Sequence, residues 1–254
     1  MNVTYLTPAN QVSAYVQGIL VVENNHMANP FYLPLIANGT PTLLFQTSRA
    51  QIKNNSNHLT LFGQTILPEK LLIKEDFTLI AYFFKPYSLT SLFGLSAHEL
   101  TDHPVDFNLL SKSSGLQEKL LNAGTIRQMI SFIDSYIFSL IEKNKANDKL
   151  IQYVTKRISD APFKNILSKI QKDVCVTERT FQRIFEKEIG ISPNQFRKIS
   201  QFDKAFQILN NKQFKSLSDI AFESGYADQS HYIRVFKEFT TLTPKEYLNL
   251  SMVT

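Results

Sequence analysis

Asp228-Gln-Ser-His-Tyr-Ile-Arg-Val-Phe-Lys-Glu-Phe-Thr-Thr-Leu-Thr-Pro-Lys-Glu-Tyr247 aligns without a gap on Thr177-Glu-Arg-Thr-Phe-Gln-Arg-Ile-Phe-Glu-Lys-Glu-Ile-Gly-Ile-Ser-Pro-Asn-Gln-Phe196, at an offset of 51 residues. Phe181 falls on Tyr232, Arg183 on Arg234, Phe185 on Phe236, Ser192-Pro193 on Thr243-Pro244 and Phe196 on Tyr247. An internal repeat of this kind is read before any single element. Thr177 and Asp228 are helix-capping residue types, whose side-chain oxygens accept backbone N–H groups left over in the first turn. Ser192-Pro193 and Thr243-Pro244 each place a cap ahead of a proline at the first helical position, where its missing N–H costs nothing. Each copy therefore reads as a helix of about three turns, a tight turn and a second helix start.

At 100° per residue, Phe181, Ile184 and Phe185 share one arc of their helix, as do Tyr232, Val235 and Phe236. The opposite arcs carry Arg179, Gln182, Arg183 and Glu186 in one copy and Ser230, Ile233, Arg234 and Lys237 in the other. A shorter apolar helix precedes each cap, with Ile166, Leu167 and Ile170 before the first and Leu217, Ile220 and Ala221 before the second. Gly225 falls in the second turn, where a positive φ is often required. A short helix, a sharp turn and a helix with a basic, amide-rich outer face make a helix-turn-helix. Arginine and glutamine suit that face because their planar forks pair with guanine and adenine edges in the major groove. Between the copies, Phe196, Ile199, Phe202, Ala205, Phe206 and Leu209 keep helical spacing over Asn194 to Asn210. This segment reads as one rod of about 25 Å, able to hold two readers about one turn of B-DNA apart.

The remaining sequence sets these motifs in context. The 254 residues are 43% hydrophobic and 19% charged, the balance of a globular chain rather than a disordered one. No apolar run reaches the length of a membrane span, and no basic segment followed by an apolar stretch opens the chain. With one cysteine, Cys175, no internal disulfide forms, and an intracellular location is the simple expectation. Residues 1–144 hold 9 Lys/Arg and 10 Asp/Glu, whereas 145–254 hold 18 and 12, so the basic excess is confined to the C-terminal part. A basic segment beside a neutral one suggests a polyanionic partner for that segment.

The first hundred residues read as short strands between Gly, Pro and Asn punctuation. Val12 to Val22, Thr42 to Phe45, Leu59 to Phe62 and Phe77 to Phe84 are the clearest, and they suggest a small barrel or sandwich. From Leu116 the period becomes helical, and Ile126, Met129, Ile133, Ile137 and Leu140 form an apolar stripe that covers its own core or serves a dimer. The polar run Glu142 to Lys149 is the domain boundary on this reading, giving a β-rich regulatory part (1–144) and an all-helical part (150–254). The ten phenylalanines of residues 1–144 read as core in preference to an effector pocket.

Residues 165–250 resemble the DNA-binding domain of AraC/XylS-type transcription regulators. The residues that carry the resemblance are Thr177…Phe181-Gln-Arg-Ile-Phe185…Gly190-Ile-Ser-Pro193 and Ile220-Ala221…Gly225-Tyr226…Asp228-Gln-Ser230…Arg234-Val-Phe236-Lys237…Thr243-Pro244…Tyr247. The resemblance implies an α+β chain: an N-terminal β-rich, cupin-like half barrel followed by helices, then an all-α domain of two helix-turn-helix motifs joined by a linker helix. It implies base contacts from Arg179, Gln182 and Arg183 in one groove and from Gln229, Ser230, Ile233 and Arg234 in the next, with Lys237 on phosphate. It also implies double-stranded promoter DNA and RNA polymerase as partners, a cytoplasmic activator, a small-molecule effector and a homodimer, with no membrane partner and no cofactor. Four positions depart from the family pattern. Gln171 replaces a small alanine, Cys175 and Thr241 replace glycines, and Gln201 stands where the linker helix usually has arginine.

The rival reading is a cupin-type metal enzyme with a helical nucleic-acid-binding tail. Such a site needs His and carboxylate ligands converging on one metal, whereas His26, His58, His98 and His103 are scattered. The nearest grouping, His98, Glu99, Asp102 and His103, reads as polar loop residues. Phosphate-cradling glycine loops and nucleophile-elbow patterns are absent from the sequence, and Cys175 beside Val174 and Val176 reads as a packed residue. No catalytic and no metal-binding residue is expected.

Overall fold

The computed structural model describes residues 1–27, 29–52, 55–110, 115–144, 149–212 and 214–251. Among these residues eight strands come first: β1 (Asn2–Leu6), β2 (Val16–Asn24), β3 (Phe31–Leu35), β4 (Thr42–Ile52), β5 (Asn55–Phe62), β6 (Glu69–Ile73), β7 (Phe77–Phe84) and β8 (Val105–Asp106). They form an antiparallel sheet in the order β1-β2-β7-β4-β5-β8, with the β3–β6 pair attached through β6 to β4 at Gln51↔Leu72. The β3–β6 pair folds over one face, making the half barrel. Leu44, Leu79 and Ala81 of the main sheet pack there against Leu71 and Ile73 of β6, with Phe31 and Leu33 of β3 alongside.

The alternation of strand side chains puts Ile19, Leu43, Phe45, Leu59, Ile80, Tyr82 and Phe84 on the opposite face. That face is covered by α2 (Ile126–Lys143), which follows the short α1 (Leu116–Leu121). Met129, Ile133, Ile137 and Leu140 of the stripe are buried there, so it covers its own core. Each such side chain contributes about 1.5–3 kcal/mol of apolar burial. Tyr82 reaches through this layer and donates its hydroxyl to Asp134 Oδ1 at 3.0 Å, tying α2 to β7. Burial raises the pKa of both groups.

Two expectations need correction here. The segment from Val12 is not strand: the amides of Val12 and Ser13 bond Ala9 O and that of Val16 bonds Val12 O, so it coils before β2 begins at Val16. Val12 is fully buried, and burial rather than extension explains its apolar character. The strands β1, β3 and β6 were not anticipated.

Among the described residues seven helices follow: α3 (Lys149–Asp160), α4 (Ile166–Asp173), α5 (Glu178–Ile189), α6 (Pro193–Asn210), α7 (Leu217–Glu223), α8 (Gln229–Thr240) and α9 (Pro244–Ser251). Helix α2 stops at Lys143 and α3 starts at Lys149. The intervening 145–148, the middle of the expected boundary, lie outside the described residues. Among the described residues no helix is long and apolar enough to cross a membrane. The two parts of the chain touch. Phe196 and Ile199 of α6 lie against Gly39, and one continuous apolar cluster runs from the sheet into α3–α8.

Candidate nucleic-acid interface

The local physics of the repeat decides where its helices begin and end. Thr177 Oγ1 accepts from the amide of Thr180 at 3.3 Å, and Asp228 Oδ1 from that of His231 at 2.7 Å, so α5 and α8 are capped at equivalent positions. Ser192 accepts from Gln195 N at 3.2 Å and opens α6, with Pro193 in its first turn. Thr243 and Glu246 cap each other's backbone at the start of α9. Ser216 and Asp219 form a reciprocal capping box on α7, satisfying two backbone donors.

Turns between the paired helices need residues at positive φ. Gly225 supplies one at +75°, as its place in the sequence suggests. Cys175 (φ +53°), which is exposed rather than packed between Val174 and Val176 as expected, and Thr241 (φ +66°) adopt the same left-handed region without being glycine. Both positions therefore carry left-handed strain in a Cβ-bearing residue.

Both repeat helices pack on the same rod. Phe185 of α5 meets Phe196 near the start of α6, with ring centroids 5.6 Å apart, and Phe236 of α8 meets Phe202 at 5.6 Å. The two anchor points are six residues apart on the rod, about 9 Å along its axis. Phe181, Phe185 and Ile189 are buried on α5; Tyr232, Phe236 and Phe239 are buried on α8.

The opposite faces are open. Arg179, Gln182 and Arg183 on α5 are exposed, as are Gln229, Ser230, Arg234 and Lys237 on α8, while Ile233 is partly buried. Gln182 donates to Glu186 Oε1 at 2.9 Å, and Gln229 accepts from Ser218 Oγ of α7 at 2.7 Å, which orients both amides before any partner arrives. Among the described residues no carboxylate forms an ion pair with Arg179, Arg183 or Arg234. Three guanidinium charges thus stand in solvent without a neutralising carboxylate, the electrostatics a polyanion requires.

Sequence reasoning missed two sets of residues. One is polar and internal: Arg197 Nη1 donates to Pro162 O at 3.1 Å and to Gln201 Oε1 at 3.0 Å, and Gln201 Nε2 donates to Ser224 O at 3.0 Å. The other joins the halves of the chain. Thr90 Oγ1 donates to Glu188 O at 3.4 Å, Thr101 Oγ1 to Gly190 O at 3.2 Å, and His98 Nδ1 lies 3.4 Å from Gly190 O. The loop read as free polar residues therefore braces the end of α5. Among the described residues no three His, Cys, Asp or Glu side chains come together as metal ligands do.

Residues 170–249 match the helix-turn-helix domain family. The C-terminal part thus carries a helix-turn-helix domain. Residues 4–106, the β-rich part, match a domain of unknown function (DUF6597). The probable transcriptional regulator LumQ of Photobacterium leiognathi is 25% identical over 167 residues, 66% of this chain and 62% of LumQ. The arabinose operon regulatory protein of Escherichia coli is 24% identical over 96 residues, 38% of this chain and 32% of that one. The chain spans less than two thirds of the length of the curated relatives it matches. Among solved structures, ToxT from Vibrio cholerae superposes with a TM-score of 0.55, covering 91% of this chain and 97% of that one at 14% identity. The fold is therefore shared along nearly the whole chain, a half barrel followed by the helical part.

Proposed function

We propose that the protein is a sequence-specific transcription regulator that binds promoter DNA through residues 150–254 and is controlled through residues 1–144. Helix α5 presents Arg179, Gln182 and Arg183 to one major-groove segment, and α8 presents Gln229, Ser230, Ile233 and Arg234 to the next, with Lys237 on phosphate. The observation that carries this reading is the pair of capped helices on one rod, each with its aromatic face buried and its arginine face open. Phosphate neutralisation supplies affinity and the paired side chains supply selectivity. The names of the relatives, transcriptional regulators in each case, support the same function. The rival metal-enzyme reading lacks a convergent ligand set among the described residues.

Control by a small molecule is the second half of the proposal. One ToxT structure is bound to (E)-4-(8-methylnaphthalen-1-yl)but-3-enoic acid, which supports a small-molecule effector here, and we assign that effector to the N-terminal part. Contact with RNA polymerase, a homodimer and a cytoplasmic location belong to the same reading. The test is titration of the full chain with duplex DNA selected from a random pool, against a scrambled duplex, at two salt concentrations. A selected site bound about 10³-fold or more tighter than the scrambled one supports the function. Equal affinity for both duplexes overturns it.

A further inference from the structure

We propose that Arg197 and Gln201 are positioning residues that lock the second helix-turn-helix onto the linker helix and so set the spacing of the two DNA segments the protein accepts. The inference rests on the two-groove reading above and adds what fixes its register.

The aromatic contacts that seat α8 on α6 are apolar and non-directional, so by themselves they permit rocking and sliding. The direction comes from a polar chain through the interior. Pro162 O, in the connection between α3 and α4, accepts from Arg197. Arg197 also donates to Gln201, and Gln201 donates to Ser224 O at the end of α7. Asn194 Oδ1, one turn earlier on α6, accepts from Arg197 Nε at 3.4 Å and holds the guanidinium in place. The chain therefore starts beside the first motif, crosses the rod and ends in the turn of the second.

The amide at position 201 suits both ends, because its oxygen accepts from a guanidinium while its nitrogen donates to a carbonyl. Gln201 is 5% exposed, so breaking either bond leaves a polar group unpaired in the interior. Beside it, Gly225 sits so close to Phe163 that a Cβ there would lie 2.6 Å from the ring. The Lys204 ammonium lies 5.3 Å from the centre of the same ring. Residues 162–163 and 224–225 thus converge on one stretch of α6, the structural crossing point of the two motifs. Neither Arg197 nor Gln201 belongs to the outward faces of α5 and α8, so their effect on DNA passes through the angle of α7 and α8. Moving one segment by a single base pair displaces it by about 3.4 Å and turns it by about 35°, which only a stiff mounting rejects.

The experiment uses the full chain and its selected duplex, together with two derivatives in which one base pair is inserted or deleted between the two contacted segments. Wild-type protein is expected to lose tenfold or more on either derivative. Gln201→Glu keeps the bond to Arg197 and sets a carboxylate against Ser224 O; Gln201→Met removes both bonds. Either variant is expected to bind the native spacing more weakly and to shrink the spacing penalty at least threefold, and Gln201→Glu carries the test if Gln201→Met fails to fold. A penalty as steep as that of the wild type, with all three duplexes weakened equally, overturns the proposal and leaves DNA reading intact. A wild-type protein indifferent to the one-base-pair changes overturns it as well, whereas no selective binding at all defeats the functional reading instead.

Discussion

The Thr101 hydroxyl lies 3.2 Å from the carbonyl of Gly190, the residue that closes the first outward-facing helix of the repeat. The same hydroxyl reaches Ala97 O at 3.1 Å, so its proton is shared between the β-rich part and the end of α5. Gly190 has φ +91°, and a Cβ added there would lie 2.4 Å from Ala97 O. Glycine is needed twice over, for the left-handed backbone and for the close approach. The last carbonyls of a helix have no intrahelical partner, and here the N-terminal part supplies donors to two of them. This contact gives residues 1–144 a direct mechanical hold on α5.

Gly190→Ala is therefore expected to destabilise the protein by more than backbone strain alone. Gly115 is the control, with φ +76° and open space where its Cβ would go. Gly115→Ala should cost about 1 kcal/mol, and Gly190→Ala at least about 1 kcal/mol more. Urea midpoints read the difference, and equal losses would contradict the docking of Ala97 on Gly190.

The two strained turns should respond in the opposite direction. Cys175→Gly and Thr241→Gly each relieve a positive φ, and each should stabilise by about 0.5–1 kcal/mol after the extra freedom of the unfolded glycine is discounted. At this chain length that is a rise in Tm of about 1–4 °C per substitution. A fall in Tm for Thr241→Gly would show that its side chain contributes more than its backbone costs.

Removing a cap should unsettle the face it anchors. Asp228→Ala deprives the amide of His231 of its 2.7 Å partner and should cost about 1 kcal/mol, whereas Asp228→Asn should cost little. Thermal melts of the two variants decide between a capping role and a general effect of charge.

Asp203, on α6, gives the protein a pH-dependent stability. Burial pushes its carboxyl up to about 6, against an ordinary value of 3.8, although the Gln207 amide bonding Oδ2 at 2.7 Å favours the charged form. The folded state thus holds this proton more tightly than the unfolded chain. Its contribution is full below about pH 4, declines as pH rises to about 6 and stays lost above that. Asp203→Asn should flatten this decline and stabilise the protein at pH 7 by on the order of 1–2 kcal/mol. Denaturant unfolding at pH 4, 5, 6 and 7 measures it; an identical profile in the variant would remove Asp203 as the cause.

On DNA, the side chains of the open faces should separate into two classes. Arg183→Ala or Arg234→Ala should cost about 1–3 kcal/mol on the selected site and relax preference at one base position. Lys237→Ala should weaken all duplexes similarly and reduce the salt dependence by about one ion. Uniform weakening by the arginine variants would reassign them to the phosphate backbone.

The repeat was legible because its signals are local. A capping side chain, an aromatic every three or four residues and a proline after a second cap each act within one turn of helix. Their recurrence 51 residues later marks two helix-turn-helix motifs in the sequence itself. The strands were less legible where burial does not alternate. All five residues of β1 are exposed, so no period-two burial marks it, and β3 alternates partly buried with exposed residues but carries Pro34, which argues against a strand in the sequence. The contact between the halves left no mark in the sequence, because Thr90, His98 and Thr101 engage backbone carbonyls, which every residue possesses. Gln201 was visible as a departure from the family pattern. Its purpose emerged only when folding placed Arg197 and Ser224 on either side of it.

Chemical footprinting of guanine N7 positions on the selected duplex, with the full-length protein bound, tests two-groove reading most directly. Two protected major-groove patches on one face of the duplex, centred about 10 base pairs apart, are the predicted result. A single protected patch, or two patches on opposite faces, would contradict it.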